Sequence, residues 1–265
     1  MGTEDVVEAL AEEPPDVRVL DKLFNRAKGV DEFEYVCALL RIRGSEDAGW
    51  DPLGESQRAI NDYIALIEAP LRGDTRLRLA LLVYSHVLET DAVYEVVENM
   101  LSITKGTRCS TSPLAHLYDR RRKSLVQPTR PPSAKKVVNY VRDHARQNGE
   151  DELAAVLEKM FNEEIRNAFF HSDYVLYKDE FRIRHGRFKS IKISELQDVI
   201  NSGVRFFQAF LYVWTHHRLS YKESKVVRGR FGPNEAPEDI ELLVHPTAGV
   251  YGFRRPPGTG PSVAT

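Results

Sequence analysis

The sequence predicts a mainly α-helical protein: a helical bundle that carries a small β-meander and ends in an irregular tail. Three observations point there. Apolar residues recur every three or four positions through most of the first 170 residues and again after residue 194, the spacing that lines one face of a helix. Between about 173 and 193 that period gives way to alternation interrupted by turn signals. Beyond about Gly229, prolines and glycines crowd the chain, and residues 229–265 read as a mostly irregular tail.

Residues 1–16 form an acidic leader closed by Pro14-Pro15, after which Asp16 can cap a helix that stops at Gly29. Asp31 and Glu34 have capping-box spacing before Phe33, Val36, Leu39 and Leu40. A loop containing "GSEDAGWDPLG" precedes "ESQRAINDYIALIEAPL". Asp74 or Thr75 then opens the longest candidate, running to Ile103, whose broad apolar content predicts one central helix. These elements make an N-terminal helical region, 17–106. The Pro- and Arg-rich stretch 107–133 reads as a linker or loop. Within a C-terminal helical region, 134–228, two helices hinge at Asn148-Gly149, and the second is expected to run unbroken to Phe170. The meander at 173–193 turns at Lys178-Asp179 and His185-Gly186, and Ser194 with Gln197 can cap the last helix.

Composition narrows the function without naming it. A net charge of -2 gives no global attraction to nucleic acid or membrane, so such affinity has to come from local patches. Cys37 and Cys109 lack metal-ligand spacing and suit a reducing compartment. The N-terminus lacks a signal-peptide pattern, Val7 stands where a myristoylation signal needs Ser or Thr, and no apolar run spans a bilayer. A soluble cytoplasmic protein without membrane contact is expected. No phosphate loop, dinucleotide fingerprint, nucleophile elbow, His-Glu-x-x-His or Cys-x-x-Cys occurs, so neither cofactor nor metal is expected.

The stretch "EKMFNEEIRNAFFHSDYVLY" carries the chemistry. On one continuous helix, Leu153, Leu157, Met160, Glu164, Asn167 and His171 fall within about 40° of one heading, so a packing face would turn polar over three layers. Asn167 and His171 are four apart and share a face, whereas Arg166 lies roughly 140° from His171. Helix unwinding near Phe169-Phe170, or a second copy of the chain, would bring the two together. The ordinary reading is a helix end with a structural cap.

"IRNAFFHSDY" resembles the signature of the HEPN domains: an Arg, a polar residue that is often Asn, three further residues and a His, here Arg166, Asn167 and His171. Ala168, the bulky Phe169-Phe170 pair and the polar turn that includes Asp173 fit the same pattern. The resemblance covers about 133–220 and extends more weakly into "LLVYSHVLETDAVYEVVENML". It implies a HEPN-like helical bundle and, for many members, a metal-independent ribonuclease built at a homodimer cleft. There an imidazole exchanges protons with the ribose 2′-hydroxyl or the leaving 5′-oxygen, and a guanidinium holds the scissile phosphate. Arg166 and His171 would be catalytic with Asn167 assisting, and the product a 2′,3′-cyclic phosphate. The resemblance also implies RNA as partner and a toxin–antitoxin or antiviral setting with an antitoxin or regulatory protein. Other members are inactive modules for dimerisation or for binding RNA or nucleotide.

Supporting roles fall to neighbours. Glu163 is spaced to hold Arg166, and Glu164 can pair with His171 from a different turn; structural ion pairing is the default for both. For RNA contact there are two basic groups: Arg120, Arg121 and Arg122 with Arg130, Lys135 and Lys136, and the meander's Arg182, Arg184, Arg187 and Lys189. The first group reads equally as a solvated loop; the second, next to the motif, is favoured for RNA, although alternation also makes it the wet side of a sheet. His86 suits a core histidine bonded to a carbonyl or carboxylate, with a position behind the site as the alternative, and the adjacent His216-His217 make a poor metal pair.

Overall fold

The computed structural model describes residues 14–41, 52–118, 131–184, 189–232 and 234–257. The chain is mainly helical, with two three-stranded antiparallel sheets. Its helices are α1 Pro15–Val30, α2 Glu32–Leu40, α3 Pro52–Glu68, α4 Gly73–Leu88, α5 Asp91–Ile103, α6 Ala134–Gln147, α7 Asp151–Met160, α8 Glu163–Phe170 and α9 Ile193–Leu219. No helix among the described residues is long and apolar enough to cross a membrane.

The chain divides into two compact units made of discontinuous stretches. One comprises Met1–Gly44, Val96–Pro113 and Ala209–Thr265; the other comprises Ser45–Glu95 and Leu114–Gln208. Helices α5 and α9 therefore each begin in the second unit and end in the first.

In the first unit α1 buries Leu20, Leu23, Phe24 and Ala27. It gives way to α2 at Asp31, whose carboxylate accepts from the Glu34 backbone N–H at 3.0 Å; this is the N-cap half of the expected box, since the Glu34 carboxylate turns to Arg108 and the Cys109 N–H. The expected irregular tail is instead largely a sheet: β4 Lys225–Gly229, β5 Glu238–His245 and β6 Gly249–Arg254, in that order. The reason is legible afterwards. Pro237 and Pro246 lie just outside β5, where a missing N–H costs nothing, and Ile240 and Leu242 alternate inward along β5. Gly249 opens β6 at φ +70, and a Cβ there would lie 2.0 Å from the Arg218 carbonyl oxygen. Only glycine fits that turn.

In the second unit Ser133 caps α6, and Gly149 (φ 73) turns the chain into α7, the expected hinge. The meander is present as β1 Tyr174–Tyr177, β2 Glu180–Ile183 and β3 Lys189–Lys192. Leu176, Phe181 and Ile191 pair on its inner side, which lies toward α8. Val175, Arg182 and Ser190 form one outward row, and Tyr177, Glu180 and Lys192 the next.

Two expected long helices are each broken. The central one stops at Leu88 and restarts at Asp91, because the Thr90 hydroxyl donates to the His86 carbonyl at 3.0 Å and ends the ladder. The motif helix stops at Met160 and restarts at Glu163. Asn162 is the cause: it takes an extended conformation, and its side-chain oxygen accepts from Ile165 N–H at 3.0 Å.

Candidate functional site

The break at Phe161–Asn162 rewrites the face on which the motif was expected to lie. With α8 restarted, its buried flank is Ile165 and Ala168, while Glu164 and His171 are exposed and Asn167 is half-buried. The heading of Leu153, Leu157 and Met160 therefore does not continue into Glu164, Asn167 and His171. Tyr84 of α4 fills the gap: its hydroxyl donates to the Met160 carbonyl at 3.0 Å and accepts from Asn162 N–H at 2.9 Å. Burial raises the pKa of that phenol, so it remains a donor. Gly203 of α9 makes room for it, since a Cβ there would come within 2.8 Å of the Tyr84 ring.

From this anchored start α8 runs two turns and presents the motif at its far end. Arg166 reaches Glu89, the residue that caps α4, through Nε at 2.9 Å and also through Nη2. Its Nη1 donates to Asn167 Oδ1 at 2.8 Å, and the guanidinium lies 4.6 Å from the Phe170 ring centroid. Three of its five N–H groups are thus engaged and two remain. His171 caps the helix through its backbone N–H, which bonds to the Asn167 carbonyl. Its imidazole is exposed and makes no hydrogen bond or ion pair among the described residues.

The acidic neighbours take other partners than the spacing suggested. Glu163 pairs with Lys135 at 2.7 Å, Glu164 pairs with Lys189, and Asp173 lies 3.9 Å from Arg184. Glu89, 77 residues away in sequence, does what Glu163 was expected to do. Helical periodicity continues through Glu89 and hides it; the run Glu89-Thr90-Asp91, rich in capping residues, is the one local sign of a break. Arg182 and Arg184 are exposed on the meander. Arg187 and Arg120, Arg121 and Arg122 lie outside the described residues.

The remaining candidates separate clearly. His86 has its Nε2 buried and without a hydrogen-bond partner, and its ring meets Tyr63 edge-on at 6.3 Å. His216 is exposed and stacks on Tyr212. His217 is buried in the first unit, with Nδ1 2.6 Å from the Tyr35 hydroxyl and Nε2 2.9 Å from Asp21. A carboxylate accepts only, so Nε2 carries the proton and Nδ1 accepts from Tyr35. Burial lowers the His217 pKa against the opposing pull of Asp21, which keeps the ring neutral. Both cysteines are free thiols whose pKa values burial raises, that of Cys109 to about 12.

Among the described residues no group of three His, Cys, Asp or Glu side chains is placed to hold a metal ion. No family model matches the chain, and no curated protein or solved structure matches it significantly.

Proposed function

We propose that the chain is a metal-independent endoribonuclease of HEPN type that cuts RNA in a cleft shared by two copies. The observation that carries this reading is the end of α8. His171 stands exposed with an imidazole that has no partner among the described residues, five positions from a guanidinium oriented by Glu89 and Asn167.

The chemistry needs those groups and no more. One imidazole takes the proton from a ribose 2′-hydroxyl as the 2′-oxygen bonds to phosphorus. The bond from phosphorus to the 5′-oxygen breaks, and the imidazole of the second copy protonates the leaving oxygen. Arg166, with two N–H groups left, faces the charge that builds on the phosphoryl oxygens. The products are a 2′,3′-cyclic phosphate and a 5′-hydroxyl. Two copies supply two imidazoles, so that base and acid are separate groups.

The test is incubation of the purified protein with RNA in EDTA, followed by analysis of the ends. Cyclic phosphate ends are expected, with His171→Ala and Arg166→Ala each abolishing cleavage while the oligomer persists. Cleavage that requires magnesium, or a monomer at micromolar concentration, overturns the mechanism. A second reading, a catalytically silent dimerisation module, is favoured by the way Glu89 already satisfies Arg166 within its own chain. It predicts an intact oligomer and uncut RNA.

A further inference from the structure

We infer that the outward face of the β1–β3 sheet is a stacking platform for single-stranded RNA, formed by Tyr177 and Arg182 and flanked by Lys178 and Lys192. The inference rests on the ribonuclease reading for its choice of ligand, and on the face itself for its geometry.

An antiparallel sheet packed on one side normally turns polar side chains outward. This one turns out Val175 and Tyr177, which are 57% and 46% exposed. Arg182 is the diagonal neighbour of Tyr177 across the β1–β2 register, and its guanidinium lies 4.2 Å from the phenol centroid. Lys178 reaches the same ring at 5.4 Å. A planar cation laid on an exposed aromatic is the surface on which a splayed base stacks, and such stacking tolerates any sequence. A paired base in a duplex presents no free ring face, so the platform selects single strands.

Charge points the same way. Between Tyr174 and Lys192 the described residues hold five cations, Lys178, Arg182, Arg184, Lys189 and Lys192, against two acids, Asp179 and Glu180. Arg182 pairs with Glu180, Lys189 with Glu164 and Arg184 loosely with Asp173. Exposed pairs of this kind are worth little, and a phosphate chain competes for them. Lys178 and Lys192 make no close ion pair among the described residues, although Lys178 joins Arg182 in holding the Glu180 carboxyl below its usual range. The platform is close in sequence to the motif: β1 starts three residues after His171, and exposed Phe170 stands just before it.

The test uses the full chain carrying His171→Ala, so that bound RNA stays uncut. A labelled 12-nucleotide single strand and the matching duplex are titrated by fluorescence anisotropy at several salt concentrations. The single strand should bind more tightly than the duplex. Tyr177→Ala should weaken it at least about fivefold, with Tyr177→Trp restoring affinity. Lys192→Ala should lower the slope of log affinity against log salt by about one. Equal affinity of Tyr177→Ala and its parent, or equal binding of duplex and single strand, overturns the platform. So does a Tyr177→Ala chain that loses its oligomer, which would make this face a protein interface. Tight Tyr177-dependent binding by a wild-type chain that cuts nothing keeps the platform and removes the nuclease. RNA cleavage with affinity indifferent to Tyr177 does the reverse.

Discussion

Two histidines, one in each unit, show opposite ways of using the same side chain. His217 is buried, and both its ring nitrogens are engaged, one by Tyr35 and the other by Asp21. His171 sits at a helix end, exposed, its imidazole without a partner among the described residues. A ring held on both nitrogens is fixed in tautomer and charge and serves packing. A ring left open to solvent adds little to packing and costs little in stability, because water satisfies it.

The largest expected effects come from exchanging those roles. His171→Ala should abolish RNA cleavage, yet shift unfolding free energy by no more than about 0.5 kcal/mol, as surface changes do. His217→Ala leaves a cavity and strands the hydroxyl of Tyr35, which is fully buried. A loss of about 2–4 kcal/mol is expected in a denaturant titration. If His171→Ala proves the more destabilising of the two, the contrast collapses.

Next comes Tyr84, which ties the motif helix to its own unit. Tyr84→Phe removes one hydroxyl and leaves both the Met160 carbonyl and the Asn162 N–H without their partner. A cost of about 1–3 kcal/mol is expected, together with faster amide exchange at Asn162. Unchanged exchange there would mean that the helix break is held by Asn162 capping alone.

The helical character, the hinge at Gly149, the Asp31 cap and the β1–β3 meander were all legible because each depends on neighbours in sequence. Two of the three differences from expectation share a cause. Thr90 and Asn162 each interrupt an otherwise helical pattern with a single capping side chain, and periodicity outvoted them. The second sheet was hidden because prolines beside strands look like prolines within an irregular tail. For the candidate site, the sequence shows that Arg166, Asn167 and His171 lie close together near a helix end, and no more. The groups that position them, Tyr84 and Glu89, arrive from another helix, and no local pattern announces a contact 77 residues long.

A smaller effect should follow from Glu89→Gln. The Arg166–Glu89 pair is partly exposed, with side chains 23% and 37% accessible, so solvent screens it to about 1 kcal/mol at most. Cleavage should fall by no more than about fivefold through looser placement of the guanidinium. A loss as complete as that of Arg166→Ala would give Glu89 a direct part in the chemistry.

The gentlest way to sharpen the comparison is pH. Burial lowers the pKa of His217 in the folded chain below its unfolded value of about 6.5. The unfolded chain therefore binds more protons between the two values, and stability rises with pH across that window. The contribution is complete above about pH 6.5 and is lost as pH falls through the window toward the folded pKa. Protonation also places a second donor at Nδ1, opposite a Tyr35 hydroxyl that has been donating to it. Denaturant midpoints measured from pH 7.5 downward should therefore decline more steeply in the wild type than in His217→Gln, whose amide does not titrate. Parallel declines in the wild type and His217→Gln would place the acid sensitivity elsewhere and remove the buried ring from this account.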